Sequence, residues 1–100
     1  MLTPERFNGS MTGKPGATVS EEFSEKRGWF LYYAYYDNYE QLVGYAEFPR
    51  DTSPEEMSRI LNESADNLLQ YYPESMTWEE ACREAEGIRR MADSVPGLRE

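Results

Sequence analysis

The sequence predicts an α+β fold: a small antiparallel sheet built on one aromatic β-hairpin, packed against two C-terminal antiparallel helices. Three observations predict it. Trp29 to Tyr36 and Gln41 to Phe48 are strand-length runs rich in aromatic and other β-favouring residues, joined by the turn Asp37-Asn38-Tyr39-Glu40. Beyond residue 50, two stretches place apolar residues at helical spacing, and each opens on a Ser/Thr-x-x-Glu capping box. The link between those stretches is about four residues, short enough to make the helices antiparallel neighbours.

Residues 1–19 hold Pro4, Gly9, Gly13, Pro15 and Gly16 and few large apolar side chains. They read as a flexible arm ahead of a single domain over 20–100. Within the arm, Thr3 and Pro4 suit the cap and first position of one helical turn. Ser20 to Arg27 fits either a short helix stopped by Gly28 or a polar approach to the first strand. A two-stranded sheet alone is marginal in water. Either Ala17-Thr18-Val19 adds a third strand or a second copy of the chain does, and the latter is the reason to expect a homodimer.

Setting Tyr36 opposite Gln41 pairs Tyr35 with Leu42 and Trp29 with Phe48, and alternate pairs share a face. Trp29, Leu31, Tyr33 and Tyr35 then join Ala46 and Phe48 on an apolar face, expected to be core. Phe30, Tyr32, Ala34 and Tyr36 join Tyr45 and Glu47 on an amphipathic face, expected to look outward. A one-residue slip would scramble this separation.

The first helix is expected to open with Ser53 as N-cap, Pro54 at N1 and Glu56 at N3. Its apolar stripe runs Met57, Ile60, Leu61, Ala65, Leu68, Leu69 and Tyr72, and Pro73 stops it. Thr77 and Glu80 repeat the box for the second helix. Its stripe is Trp78, Ala81, Cys82, Ala85, Ile88 and Met91 or Ala92, ending at Ser94-Val95-Pro96-Gly97.

Hydrophobic residues make up 39% and charged residues 29%, a globular rather than disordered balance. The net charge of −9 is uneven: residues 1–50 carry seven acids and five bases, residues 51–100 twelve acids and five bases. Such a surface repels phosphate backbones and anionic lipid, so neither direct nucleic-acid binding nor membrane binding is expected. It attracts a basic protein partner.

Histidine is absent, which removes the commonest general base. Cys82, the single cysteine, lies on an apolar stripe and reads as an inert buried thiol. One cysteine, no apolar secretion segment in MLTPERFNGS and no membrane-length apolar run lead to the expectation of a cytoplasmic protein. Gly9-Ser10-Met11-Thr12-Gly13-Lys14-Pro15 fails as a phosphate loop, because one spacer residue is missing and Pro15 stands where a hydroxyl is required. No zinc or calcium spacing occurs. Neither a catalytic group, a cofactor nor a metal is therefore expected, and the protein reads as non-enzymatic. Asp37, Glu40 or Glu47 beside the tyrosines leaves a small enzyme or ligand-binding domain as a third reading.

Two sets of residues are candidates for partner binding. One is the tyrosine-bearing face, with Phe30, Tyr32, Tyr36 and Tyr45, since tyrosine gives stiff contact area with a polar tip. The other is acidic and helical, with Glu56, Glu63, Asp66, Glu79, Glu80 and Glu84. The leading expectation is an acidic protein-interaction module. A sharper form is an inhibitor or nucleic-acid mimic, for example a phage or mobile-element protein acting on a host nucleic-acid-binding protein, with carboxylates in a basic groove where phosphates would sit. The alternative is a homodimeric structural or regulatory domain joined through the tyrosine face.

Overall fold

Two turns decide how the aromatic strands meet. At the first, the hydroxyl oxygen of the buried Ser24 accepts hydrogen bonds from the N–H groups of Lys26 (3.2 Å) and Arg27 (3.3 Å). Gly28 follows at φ 72°, a left-handed conformation that an L side chain resists. At the second, one carboxylate oxygen of Asp37 accepts from the N–H groups of Tyr39 (2.9 Å) and Gln41 (3.0 Å). Such a side-chain-nucleated turn is the usual role of aspartate. Glu40 takes the left-handed conformation there, at φ 63°.

The computed structural model describes residues 13–98. The turn expected at Thr3 and Pro4 lies outside the described residues. The element order is β1 (Gly16–Ser24), β2 (Gly28–Tyr36), β3 (Leu42–Pro49), α1 (Pro54–Tyr71) and α2 (Trp78–Asp93), an α+β arrangement. The strands form one antiparallel sheet in the order β1-β2-β3. Ala17-Thr18-Val19 thus belongs to a third strand, which starts at Gly16 inside the stretch expected as the arm and takes in Ser20 to Ser24. The chain divides at Ser53/Pro54 into two compact units.

The β2–β3 register differs from the expected one by two residues. Tyr36 faces Leu42, and beyond a bulge Tyr35 faces Gly44, Tyr33 faces Ala46 and Leu31 faces Phe48. The Asp37 turn extends through Gln41 and supplies one residue of the difference; the bulge at Val43 supplies the other. Beyond the bulge the shift is even and preserves parity, so those side chains still share each face, whereas Leu42 moves from the Tyr35 face to the Tyr36 face.

Burial reverses the expected roles of the two faces along β2. Phe30, Tyr32, Ala34 and Tyr36 form one buried cluster with Leu42 packed against it. On the opposite face Tyr33 is fully buried, but Leu31 and Tyr35 are half-buried and Trp29 is 52% exposed. Burial pushes the Tyr33 phenol well above its ordinary range, and Tyr35 adds to the shift. Part of the cover over Tyr36 is backbone. A Cβ on Gly13 would lie 2.8 Å from Tyr36 Cζ, and the Gly13 N–H donates to the Glu40 carbonyl at 3.3 Å.

In the second unit α1 and α2 form an antiparallel hairpin. Tyr72 and Trp78 meet across its turn at 6.0 Å, Asp66 and Arg89 pair along its length, and Gly97 comes to rest against Pro54. The buried seam is Met57, Leu61 and Ala65 on α1 and Ala81, Ala85, Met91 and Ala92 on α2. The capping box of α2 forms as the sequence predicts. Glu80 N–H donates to Thr77 Oγ1 (3.1 Å), and Thr77 N–H donates to Glu80 Oε1 (2.9 Å). No helix among the described residues is long and apolar enough to cross a membrane.

Candidate interaction surfaces

The four residues singled out on the sheet do not form one open surface. Phe30 (3% exposed), Tyr32 and Tyr36 are buried, whereas Tyr45 is 45% exposed and lies 5.9 Å from the Tyr32 ring. The expectation that this face looks outward is corrected: on β2 it is the most evenly covered row. Its aromatic side chains sit on the central strand, flanked by a strand on each side, and Arg27 extends over it.

Two arginines span the sheet at the same end, one on each face. Arg27, from the β1–β2 turn, stacks 4.3 Å above the Phe30 ring and pairs with Glu47 on β3. Arg50, just past β3, sits 5.5 Å from the Trp29 ring and reaches Glu21 on β1 at 3.4 Å. Each therefore crosses β2 over an aromatic ring and ends on a carboxylate of a strand beyond it. Trp29 also packs on Phe23, ring centroids 5.5 Å apart, and both stay exposed.

The acidic candidates separate by partner. Arg59 pairs with both Glu56 and Glu63, and its hydrogen bond holds the Glu56 carboxyl below the ordinary carboxylate range. Asp66 is held by Arg89. The Thr77 backbone N–H, then its hydroxyl, lower the Glu80 carboxyl, so Glu80 is ionised but committed to the helix cap. On α2, Glu86 and Arg90, four residues apart, pair at 2.9 Å. Among the described residues no Arg or Lys forms an ion pair with Glu74, Glu79 or Glu84. Arg59, Arg89 and Arg90 thus neutralise one stretch of helix surface; Arg83 acts on Glu80 in the first turns of α2, where the acids still outnumber it.

One group at that end is not expected from periodicity. Trp78, placed on the buried stripe by its spacing, is 54% exposed, and Tyr71, the last residue of α1, is 74% exposed. Trp78 is the first residue of α2 and lies beyond the seam that Ala81 and Ala85 close. The signal was present in Tyr71-Tyr72: adjacent positions cannot both face one seam.

No family model matches the chain, and neither a curated protein nor a solved structure matches it.

Proposed function

We propose that the protein is a non-enzymatic, acidic interaction module that binds a basic surface of a partner protein through its helical hairpin. The observation that supports this most is the distribution of charge over the helices. Arg59, Arg89 and Arg90 are occupied by Glu56, Glu63, Asp66 and Glu86, while Glu74, Glu79 and Glu84 stay exposed without a described cation. Unneutralised carboxylates on α2 and the turn before it steer and orient a basic partner. An inhibitor or nucleic-acid mimic in the cytoplasm is the sharper form of this reading; direct binding to nucleic acid or membrane is disfavoured by the same charge. A second reading, self-association, is supported by the exposed Tyr39, Val43 and Tyr45 along β3 and its turn, rather than by the buried cluster.

The test is affinity capture at low salt with the native chain beside a Glu79→Lys/Glu84→Lys variant, which leaves the Thr77–Glu80 cap intact. Basic proteins held by the native chain, released by high salt and missed by the variant are the expected result. Retention of the same proteins by both chains overturns the reading.

A further inference from the structure

We infer that the turn end of the helical hairpin is a receptor for an arginine side chain of the partner, with Trp78 and Tyr71 as the ring surface and Glu74 and Glu79 as the carboxylates. This deepens the reading above and rests on it. The argument comes from what this chain does elsewhere. Twice on the sheet an aromatic ring, a guanidinium and a carboxylate make one unit: Phe30, Arg27 and Glu47, and Trp29, Arg50 and Glu21. At the hairpin turn the ring and the carboxylates are present and no described guanidinium lies over the ring; the nearby Arg83 acts on Glu80 and forms no described ion pair with Glu74 or Glu79.

Residues 71–82 hold three acids, Glu74, Glu79 and Glu80, and no base. No described cation lies over Trp78 or Tyr71. Both rings are open, and Tyr72 supports Trp78 from one side at 6.0 Å. The platform is also stiff, since Trp78 follows directly on the doubly bonded cap residue Thr77. A large exposed aromatic followed in the chain by an unneutralised carboxylate, as Trp78 is by Glu79, offers a guanidinium both shape and charge. The flat cation stacks on the ring face while its N–H edge meets oxygen. Lysine offers charge without the plane, so arginine is the preferred occupant.

The experiment uses the full chain carrying Trp29→Phe, which leaves Trp78 as the only tryptophan. It is titrated with a short synthetic peptide of alternating arginine, glycine and serine, and with its twin in which neutral citrulline replaces arginine. Saturable change in Trp78 emission with the arginine peptide is expected, with affinity about tenfold or more weaker for the citrulline twin. Calorimetry with Tyr71→Ser and with Trp78→Ala should show a loss of about tenfold or more, with helicity unchanged by circular dichroism. If Glu79→Lys/Glu84→Lys abolishes binding while Tyr71→Ser and Trp78→Ala leave it intact, the acidic module stands and the aromatic receptor is overturned. If all four chains bind alike, or the native chain does not bind, both are overturned.

Discussion

Replacing Phe30 by alanine should cost far more stability than replacing its neighbour Trp29, although tryptophan is the larger residue. Phe30 is 3% exposed within the cluster of Tyr32, Ala34 and Tyr36, so its removal leaves a cavity that the central strand cannot close. Buried phenylalanine-to-alanine changes cost about 3–5 kcal/mol. Loss of the surface under the Arg27 guanidinium adds about 0.5–1 kcal/mol. Trp29 is 52% exposed and keeps roughly half its side chain in water. Burying about 100 Å² of it at about 25 cal/mol/Å², reduced for a compact denatured state, is worth about 1.5–2 kcal/mol. Trp29→Ala also loses a guanidinium contact, with Arg50, which offsets the Arg27 term, so the two variants should differ by about 1–3 kcal/mol, against a total stability on the order of 5–15 kcal/mol for a domain. Urea unfolding followed by near-ultraviolet circular dichroism of the sheet tyrosines measures both, provided the slopes agree. A Phe30→Leu control should cost less than about 1.5 kcal/mol. Equal costs for Phe30→Ala and Trp29→Ala, or a larger cost for Trp29→Ala, would refute the assignment of the covered face.

Three further outcomes follow from the geometry. Gly13→Ala drives a methyl group to 2.8 Å from Tyr36 Cζ, and should destabilise the sheet unit by about 1–3 kcal/mol in the same urea assay, while Lys14→Ala has little effect. The Glu80 carboxyl is lowered in the folded chain, so the folded state binds fewer protons than the unfolded one below the unfolded value of about 4.3. Its stabilising contribution is present above that value and is lost as pH falls through the folded pKa. Glu80→Gln should flatten the acid loss of helix stability measured by urea midpoints across that range. Thr77→Ala should cost about 1 kcal/mol at neutral pH, and an unchanged midpoint would show that the cap is not formed.

The parts of this fold that were legible in the sequence are those where one residue type meets one backbone requirement. Thr77 and Glu80 cap α2 because a hydroxyl and a carboxylate three residues apart satisfy each other's N–H groups, whatever else surrounds them. The helical stripes were readable because Ala81 and Ala85, or Met57, Leu61 and Ala65, recur on one side only. β2 offers no such contrast. Aromatic residues occupy both of its faces, so alternation cannot say which row is covered. The decision lies in contacts from outside β2: Leu42 of β3 against the cluster, Gly13 over Tyr36, and Arg27 of the β1–β2 turn over Phe30. β1 was half legible because Ser20, Glu21 and Glu22 mask a strand whose Ala17, Val19 and Phe23 alternate correctly. The acidic candidates were readable as charges. Which of them stay available depends on where each arginine reaches, as with Arg89, which bonds across to Asp66 on the other helix.

The two arginines that span the sheet bear on how it comes apart. β1 and β3 share no backbone hydrogen bond, since β2 lies between them. A three-stranded meander of that kind can peel as two separate hairpins. Here the Arg50–Glu21 pair ties the end of β3 to β1, and the Arg27–Glu47 pair ties the β1–β2 turn to β3, with an aromatic ring of β2 beneath each. Lifting either edge strand thus breaks a contact belonging to the other hairpin. Each pair is individually small, as partly exposed ion pairs are. Placed across opposite faces, they couple the loss of one edge to the loss of the other.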